Sequence, residues 1–300
     1  MRTAMGAVLA ALVLARCACV SCAADLESTA KEAQTAVAAA NQIDVVHWKI
    51  NTGDTYTIDP CHVELDVRDA YTASTRFWDE DGNLHKHGDH HVNDLSAAVT
   101  TGIVPNLDAS LALGYEWIHS GHFGFDTMSP ENGSGLDDAF LGMRWRFFKD
   151  PNNDFQVAYK SGFTIPTGTE GSATRIGTGN GFWNWDQSVV ACKDWGRFTT
   201  NAQLGYLLPF GEDHEGLKGE LFGNAACGYQ VNRWLQPEIE LNYGQLIVDD
   251  VDNPQILAAT AGLIFSTSEH SALMAGVQQA LAGRSANDLT AGVVTFRIVW

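Results

Sequence analysis

Thr295-Phe296-Arg297-Ile298-Val299-Trp300 is an alternating strand that finishes on a large aromatic residue. Phe296, Ile298 and Trp300 share one face; Thr295, Arg297 and Val299 share the other, because successive side chains of a strand point to opposite sides. An aromatic-terminated strand of this kind is common as the closing strand of a bacterial outer-membrane barrel, where the last ring sits at the lipid interface. The fold therefore turns on whether the same alternation recurs upstream.

It does, from Cys61 onward. Val63, Leu65 and Val67 alternate with Glu64, Asp66 and Arg68; Leu141, Met143, Trp145 and Phe147 alternate with Arg144 and Arg146; Phe155, Val157 and Tyr159 alternate with Gln156 and Lys160. Leu95, Ala97 and Val99, then Leu111, Leu113, Tyr115 and Trp117, follow the same period, as do residues 183–193, 198–208, 219–230, 235–247, 255–267, 271–281 and 290–300. That makes about twelve segments, each near the roughly 9–11 residues with which a tilted strand crosses a bilayer. Short connections rich in Pro, Asn, Asp or Gly (104–108, 149–154, 194–197, 231–234, 268–270) alternate with longer polar ones, notably 78–91, 119–137 and 166–182. Short periplasmic turns and longer outer loops produce this alternation. Aromatics gather at both ends of the apolar faces: Tyr115, Trp117, Trp183, Trp185, Tyr206 and Tyr243 at the outer end, and Trp145, Phe147, Phe198, Tyr229, Phe265 and Trp300 at the inner end. Two such belts are expected where amphipathic rings settle at headgroup level. The expected fold class is all-β, a transmembrane antiparallel up-and-down β-barrel of about 12 strands with a short N-terminal helical segment.

Composition agrees. The 300-residue chain carries a formal net charge of −18, which argues against nucleic acid as a partner. Mean hydropathy is only −0.11, and no apolar run reaches the roughly 20 residues of a spanning helix; barrels escape such scans because half of each strand faces a polar lumen. The N-terminus reads as an export signal over residues 1–23: a basic Met1-Arg2-Thr3, an apolar Ala4 to Leu14, and small residues at Ser21-Cys22-Ala23. Removal of Cys17, Cys19 and Cys22 with it leaves Cys61, Cys192 and Cys227, an odd, widely spaced set that makes no disulfide framework. Residues 24–60 read as a periplasmic segment: Leu26, Ala30, Ala33, Val37 and Ala40 form a helical stripe, a plug inside the barrel being the alternative, and residues 42–60 carry no firm assignment. Residues 61–300 form the barrel.

Two stretches resemble the outer-membrane proteins grouped under the MetA pathway of phenol degradation. One is Leu136-Asp137-Asp138-Ala139-Phe140-Leu141-Gly142-Met143-Arg144-Trp145-Arg146-Phe147; the other is Gly162-Phe163-Thr164-Ile165-Pro166-Thr167-Gly168 with Gly177-Thr178-Gly179 and Trp185-Asp186. The resemblance implies a closed barrel that passes small molecules, aromatic ones among them, and it brings no catalytic residues. Pro166 ends a strand ladder, and Gly168, Gly177, Gly179 and Gly181 read as turn positions closed to other residues.

Strand phase places Glu64, Asp66, Arg68, Arg144, Arg146, Glu238, Glu240 and Arg297 on inward faces of the periplasmic half, with Lys160 and Asp186 nearer mid-height. These charges either fill a narrow lumen as a neutralised network or form a constriction that selects solutes by charge and size. The expected gate is a ring in which Arg144, Arg146 and Arg297 pair with Glu238 and Glu240. His85, His87, His90 and His91, with His119 and His122, crowd two expected outer loops; imidazoles are good zinc or copper ligands, although a solvated loop accounts for them equally. No cofactor is required. No nucleophile motif stands beside a base and no GxSxG occurs, so the chain is expected not to be an enzyme. The function expected is an outer-membrane channel or transporter for small molecules, with lipid and solute as partners. The alternative is a structural or surface-interaction barrel with a metal-binding outer face.

Overall fold

The computed structural model describes residues 46–121, 132–172, 174–211, 214, 216–249 and 252–300. The expected signal, the Ala-rich helix and His122 lie outside these residues. The described chain forms thirteen strands: β1 (Val63–Trp78), β2 (Leu84–Val104), β3 (Leu107–Ser120), β4 (Asn132–Leu136), β5 (Ala139–Asp150), β6 (Phe155–Ile165), β7 (Trp183–Trp195), β8 (Phe198–Phe210), β9 (Leu217–Tyr229), β10 (Leu235–Val248), β11 (Gln255–Ser268), β12 (Ser271–Arg284) and β13 (Ala286–Val299). Each pairs antiparallel with its neighbours, and β1 joins both β2 and β13. Twelve of the strands close into an up-and-down transmembrane barrel, and β4 pairs with the far half of β3 as an extra piece. Closure leaves no strand edge to be satisfied in lipid. Trp300 and Val63 seal it, each backbone N–H donating to the other's carbonyl at 2.9 Å.

The outward faces are apolar, as the period-two pattern requires. Leu204 on β8 and Ile239 on β10 are 63% and 65% exposed, which a lipid-facing wall explains and a water-facing one does not. Trp145 with Phe147 on β5, and Phe198 with Tyr229 on β8 and β9, form two exposed aromatic pairs near one rim, and Trp117 and Trp183 lie toward the other.

The ends of the barrel differ. At the end holding Val63 and Trp300, the connections are short: 105–106, 151–154, 196–197, 230–234 and 269–270. At the opposite end lie 79–83, 121–131, 166–182, 211–216, 249–254 and Ser285. The expected loop 78–91 is mostly strand: β1 extends to Trp78 and β2 begins at Leu84, across a turn held by the Asp79 carboxylate, which accepts the Asn83 N–H at 2.8 Å and the Asp81 N–H at 3.0 Å. A polar composition concealed this pairing, because strands that rise beyond the bilayer need no apolar face.

The two stretches that carry the family resemblance meet at one bulge. β4 and β5 both run antiparallel to β3, with a one-residue register shift at Asp137-Asp138. There Asp138 turns to the long connection 166–182, accepting the Gly168 N–H at 2.8 Å and the Asn180 N–H at 2.7 Å. Gly168 and Gly179 pack so closely that a Cβ on either would collide with the other's backbone. Close approach, rather than a left-handed backbone, fixes these two glycines; of the four expected turn glycines only Gly181 has positive φ, 78°.

Cys192 and Cys227 are free thiols, as their opposite strand phases predict. Cys61 is disulfide-bonded.

Candidate functional site

Residues 46–59, which fall in the stretch without a firm assignment, lie inside the barrel against its inward faces. The wall supplies a seat. β11, β12 and β13 turn Ile264, Ala272, Met274 and Val293 inward as a small buried apolar patch, and Ile50 packs onto it. Gly262 and Gly276 lie under the Ile50 side chain, where a Cβ would crowd it. The polar backbone around Ile50 must then find partners away from water. Glu240 accepts the N–H groups of Ile50 and Asn51 at 3.0 Å and of Thr52 at 3.3 Å. Glu238 accepts the Ile50 N–H as well and pairs with Lys49 at 3.4 Å, both side chains fully buried. Across the lumen, Gln203 accepts the Gly53 N–H at 2.8 Å and Asn201 donates to the Gly53 carbonyl at 2.9 Å. The segment leaves by crossing Gly102 of β2, where any side chain would meet the backbone of Ile58 and Asp59.

The inward charges organise around this segment. Arg144 is held by Asp108, with Nε and Nη2 donating to Oδ2 at 3.1 and 2.7 Å, and its Nη1 donates to Asp54 of the luminal segment. Arg297 makes a bidentate pair with Asp66 at 2.5 and 2.6 Å, with Glu64 at 3.6 Å and Asp54 at 3.9 Å behind it. Arg68 donates to the Ile50 carbonyl at 2.9 Å and to the Asn51 side chain at 2.8 Å. The expected ring of opposite charges is therefore not a direct one. Glu238 and Glu240 are taken up by backbone amides and Lys49, and Asp54 sits between Arg144 and Arg297. Arg146 does not join them: it points to the rim and donates to Asn106 and Gln156. Asp54, Asp108 and Lys49 are the members that strand phase missed. Asp54 and Lys49 fall in the unassigned stretch, and Asp108 falls in the expected 104–108 connection, although its alternation with Ala109 and Leu111 marks it as inward.

Between the segment and the opposite mouth is a chamber of about 430 Å³. Lys160 and Asp186 reach it from β6 and β7, and Phe140 and Phe222 line it. Higher on the wall, Asp94, Glu116 and Asp137 bring three carboxylates within 4.8 Å of one another.

The histidines are dispersed by the strand they occupy. His85 bonds Asp79 at 2.7 Å at the tip of the first hairpin, and the Asp79 carboxyl is pulled down to about 2, by the Asn83 amide first and His85 next. His87 meets the Ser74 hydroxyl at 3.0 Å, while His91 stacks on His119 across β2 and β3 with ring centroids 4.8 Å apart. His119 in turn bonds Asn132. Among the described residues the expected metal set makes no group of three converging ligands.

A closed barrel with a polar, segment-filled lumen defines the class: a transmembrane β-barrel of the outer-membrane type. The chain belongs to the family described as "Putative MetA-pathway of phenol degradation", which it matches over residues 98–298. Among solved structures it is similar to the COG4313 outer membrane channel from Pseudomonas putida F1, at 12% identity and a TM-score of 0.69, covering 84% of this chain and 100% of that one. It also matches the KdgM porin at 8% identity and a TM-score of 0.48, covering 78% of this chain and 98% of that one. No curated protein matches.

Proposed function

We propose that this protein is an outer-membrane channel for small solutes, exported by the signal at residues 1–23, with its short-turn end in the periplasm and its lumen gated by residues 46–59. One observation carries the reading: apart from the Ile50 anchor on its apolar patch, the segment that fills the lumen is held by polar contacts to inward-facing wall residues, among them Glu238, Glu240, Gln203, Asn201 and Arg144. Such contacts exchange with water at modest net cost, roughly 0.5–1.5 kcal/mol for a neutral hydrogen bond and roughly 1.5–3 for one to a charged group, so a polar plug can leave a barrel wall that a large apolar core could not. The seat is also incompletely satisfied. The side-chain oxygens of Thr52 on the segment and of Gln236 on the wall are buried without a hydrogen-bond partner among the described residues. Fold similarity to an outer membrane channel supports the same reading. Phe140 and Phe222 at the chamber favour solutes with an apolar or aromatic part, in keeping with the family description. Nothing in this reading requires a catalytic group or a cofactor.

Planar-bilayer recordings of the full chain and of a variant lacking residues 46–57 test it. The deletion is expected to raise conductance, and swelling of liposomes in sugars, amino acids and phenolic acids would rank solutes. A folded deletion variant that conducts no better than the full chain would reject the gate. A barrel that passes no solute in either form would favour the structural, surface-interaction alternative.

A further inference from the structure

Among the cations that reach the chamber, Lys49, Arg144 and Arg297 each have a carboxylate within ion-pair distance. Lys160 has no hydrogen bond or ion pair among the described residues, and neither has Asp186. The two stand on neighbouring strands. Lys160 is opposite Ser188, and Gly162, two residues on, is opposite Asp186. Both line the same chamber, yet they do not approach to within the 4.0 Å of an ion pair. Opposite charges taken from bulk water are expensive unless something satisfies each of them.

The surroundings specify more. Lys160 lies beside Arg144 in the sheet register, and the Arg144 charge is already met by Asp108 and Asp54. Ser188 accepts a hydrogen bond from the Gln203 amide at 3.1 Å, which leaves its own hydroxyl proton to donate into the chamber. Arg144, Lys160, Ser188, Gly205 and Phe222 form one row across five strands. The Phe222 ring covers Gly205, and the Phe140 ring covers Gly142 and Gly162, in contacts that a Cβ at those glycines would destroy. A strip of opposite charges is thus flanked by an aromatic face on each side. A chamber of about 430 Å³ is within the roughly 300–1,000 Å³ usual for small-molecule sites.

We propose that this strip is a binding site for small zwitterions, α-amino acids with apolar side chains, whose carboxylate pairs with Lys160 and Ser188, whose ammonium pairs with Asp186, and whose side chain lies against Phe140 or Phe222. This deepens the channel reading by naming a solute class for the same lumen. A simple organic anion would use Lys160 but be repelled by Asp186; a simple cation would do the reverse. Only a molecule bearing both charges satisfies both residues.

Calorimetric titration of the purified full chain in detergent tests this with L-phenylalanine, 3-phenylpropionate and phenethylamine, which carry both charges, the carboxylate alone and the ammonium alone. Phenylalanine is expected to bind at least about tenfold more tightly than either of the others. Lys160→Met and Asp186→Asn should each weaken phenylalanine by a similar factor, and Ser188→Ala by less; retention of the heat-modifiable folded band on gels verifies each barrel. Should either single variant fail to fold, the exchanged pair Lys160→Asp with Asp186→Lys preserves net charge and is expected to retain binding with the headgroup reversed. Binding of 3-phenylpropionate to the parent as tight as that of phenylalanine, together with parent-like phenylalanine affinity in Asp186→Asn, would overturn the proposal in favour of an anion site, and absence of binding by all three probes would overturn it outright. Binding is read without flux. Phenylalanine affinity in a barrel that conducts nothing would sink the channel reading alone, whereas sugar flux without phenylalanine binding would sink this proposal alone.

Discussion

Arg144 of the barrel wall and Asp54 of the luminal segment form an ion pair whose side chains are 12% and 10% exposed. The same guanidinium is held by Asp108 from the neighbouring strand. A wall cation thus fastens the plug with one arm and the barrel with the other. Any change there alters gating and stability together, and the two effects must be separated by choice of partner.

Replacing Arg144 by Met leaves Asp108 without its cation and Asp54 with only the Arg297 contact at 3.9 Å. Removing one partner of a buried pair costs ~3–5 kcal/mol. The urea midpoint of refolded barrel in detergent should fall accordingly. Adding Asp108→Asn should recover much of the loss, because it removes the stranded charge. Equal midpoints for parent and Arg144→Met would mean that the pair is solvated and without structural weight.

Glu240 gathers three consecutive amides of the segment. Hydrogen bonds to a charged acceptor contribute ~1.5–3 kcal/mol and neutral ones ~0.5–1.5. Glu240→Gln should therefore loosen the seat by about 1–2 kcal/mol, enough to raise the unplugged fraction about tenfold. Single-channel recording would register more frequent open events at unchanged full conductance. A change in full conductance without a change in open frequency would instead make Glu240 part of the conducting wall.

Asp138 ties the 166–182 connection to the β4–β5 bulge through Gly168 and Asn180. Asp138→Ala removes both charge-assisted bonds and is expected to free the connection. Trypsin added to intact cells should then cut at the exposed Arg175 faster than in the parent, while the barrel remains heat-modifiable. Unaltered cleavage would assign the loop's order to Thr169 and Thr178, which also bond the Leu136 carbonyl.

Leu204 projects outward from the middle of β8. An arginine facing lipid at mid-depth costs ~2–4 kcal/mol. Folding of Leu204→Arg into phospholipid vesicles should be destabilised by that amount, whereas the same change at the rim residue Trp195 should cost far less. Equal effects at both sites would contradict the membrane depth assigned to β8.

The barrel was legible because its two determinants are local. Period-two alternation states which face meets lipid, and short turns fix which strands pair; both are written in a few consecutive residues such as Leu141 to Phe147. Inward placement of Glu64, Asp66, Arg144, Glu240 and Arg297 follows from the same alternation. What fills the lumen does not. Residues 46–59 have no periodicity, because their partners are spread around the barrel: Ile50 lies on β11–β13, Gly53 on β8, and Asp54 between β5 and β13. Only closure of the whole sheet brings those partners to one place. The same closure turned Glu238 and Glu240 from expected partners of wall arginines into acceptors for a threaded backbone, split the histidines of β2 among separate neighbours, and left Lys160 and Asp186 facing one chamber without touching. The sequence by itself determined the wall, since strand phase is a property of neighbours along the chain. The tertiary structure alone decided the lumen, since contacts such as Asp54–Arg144, Ile50–Glu240 and Asp66–Arg297 join residues 90, 190 and 231 positions apart.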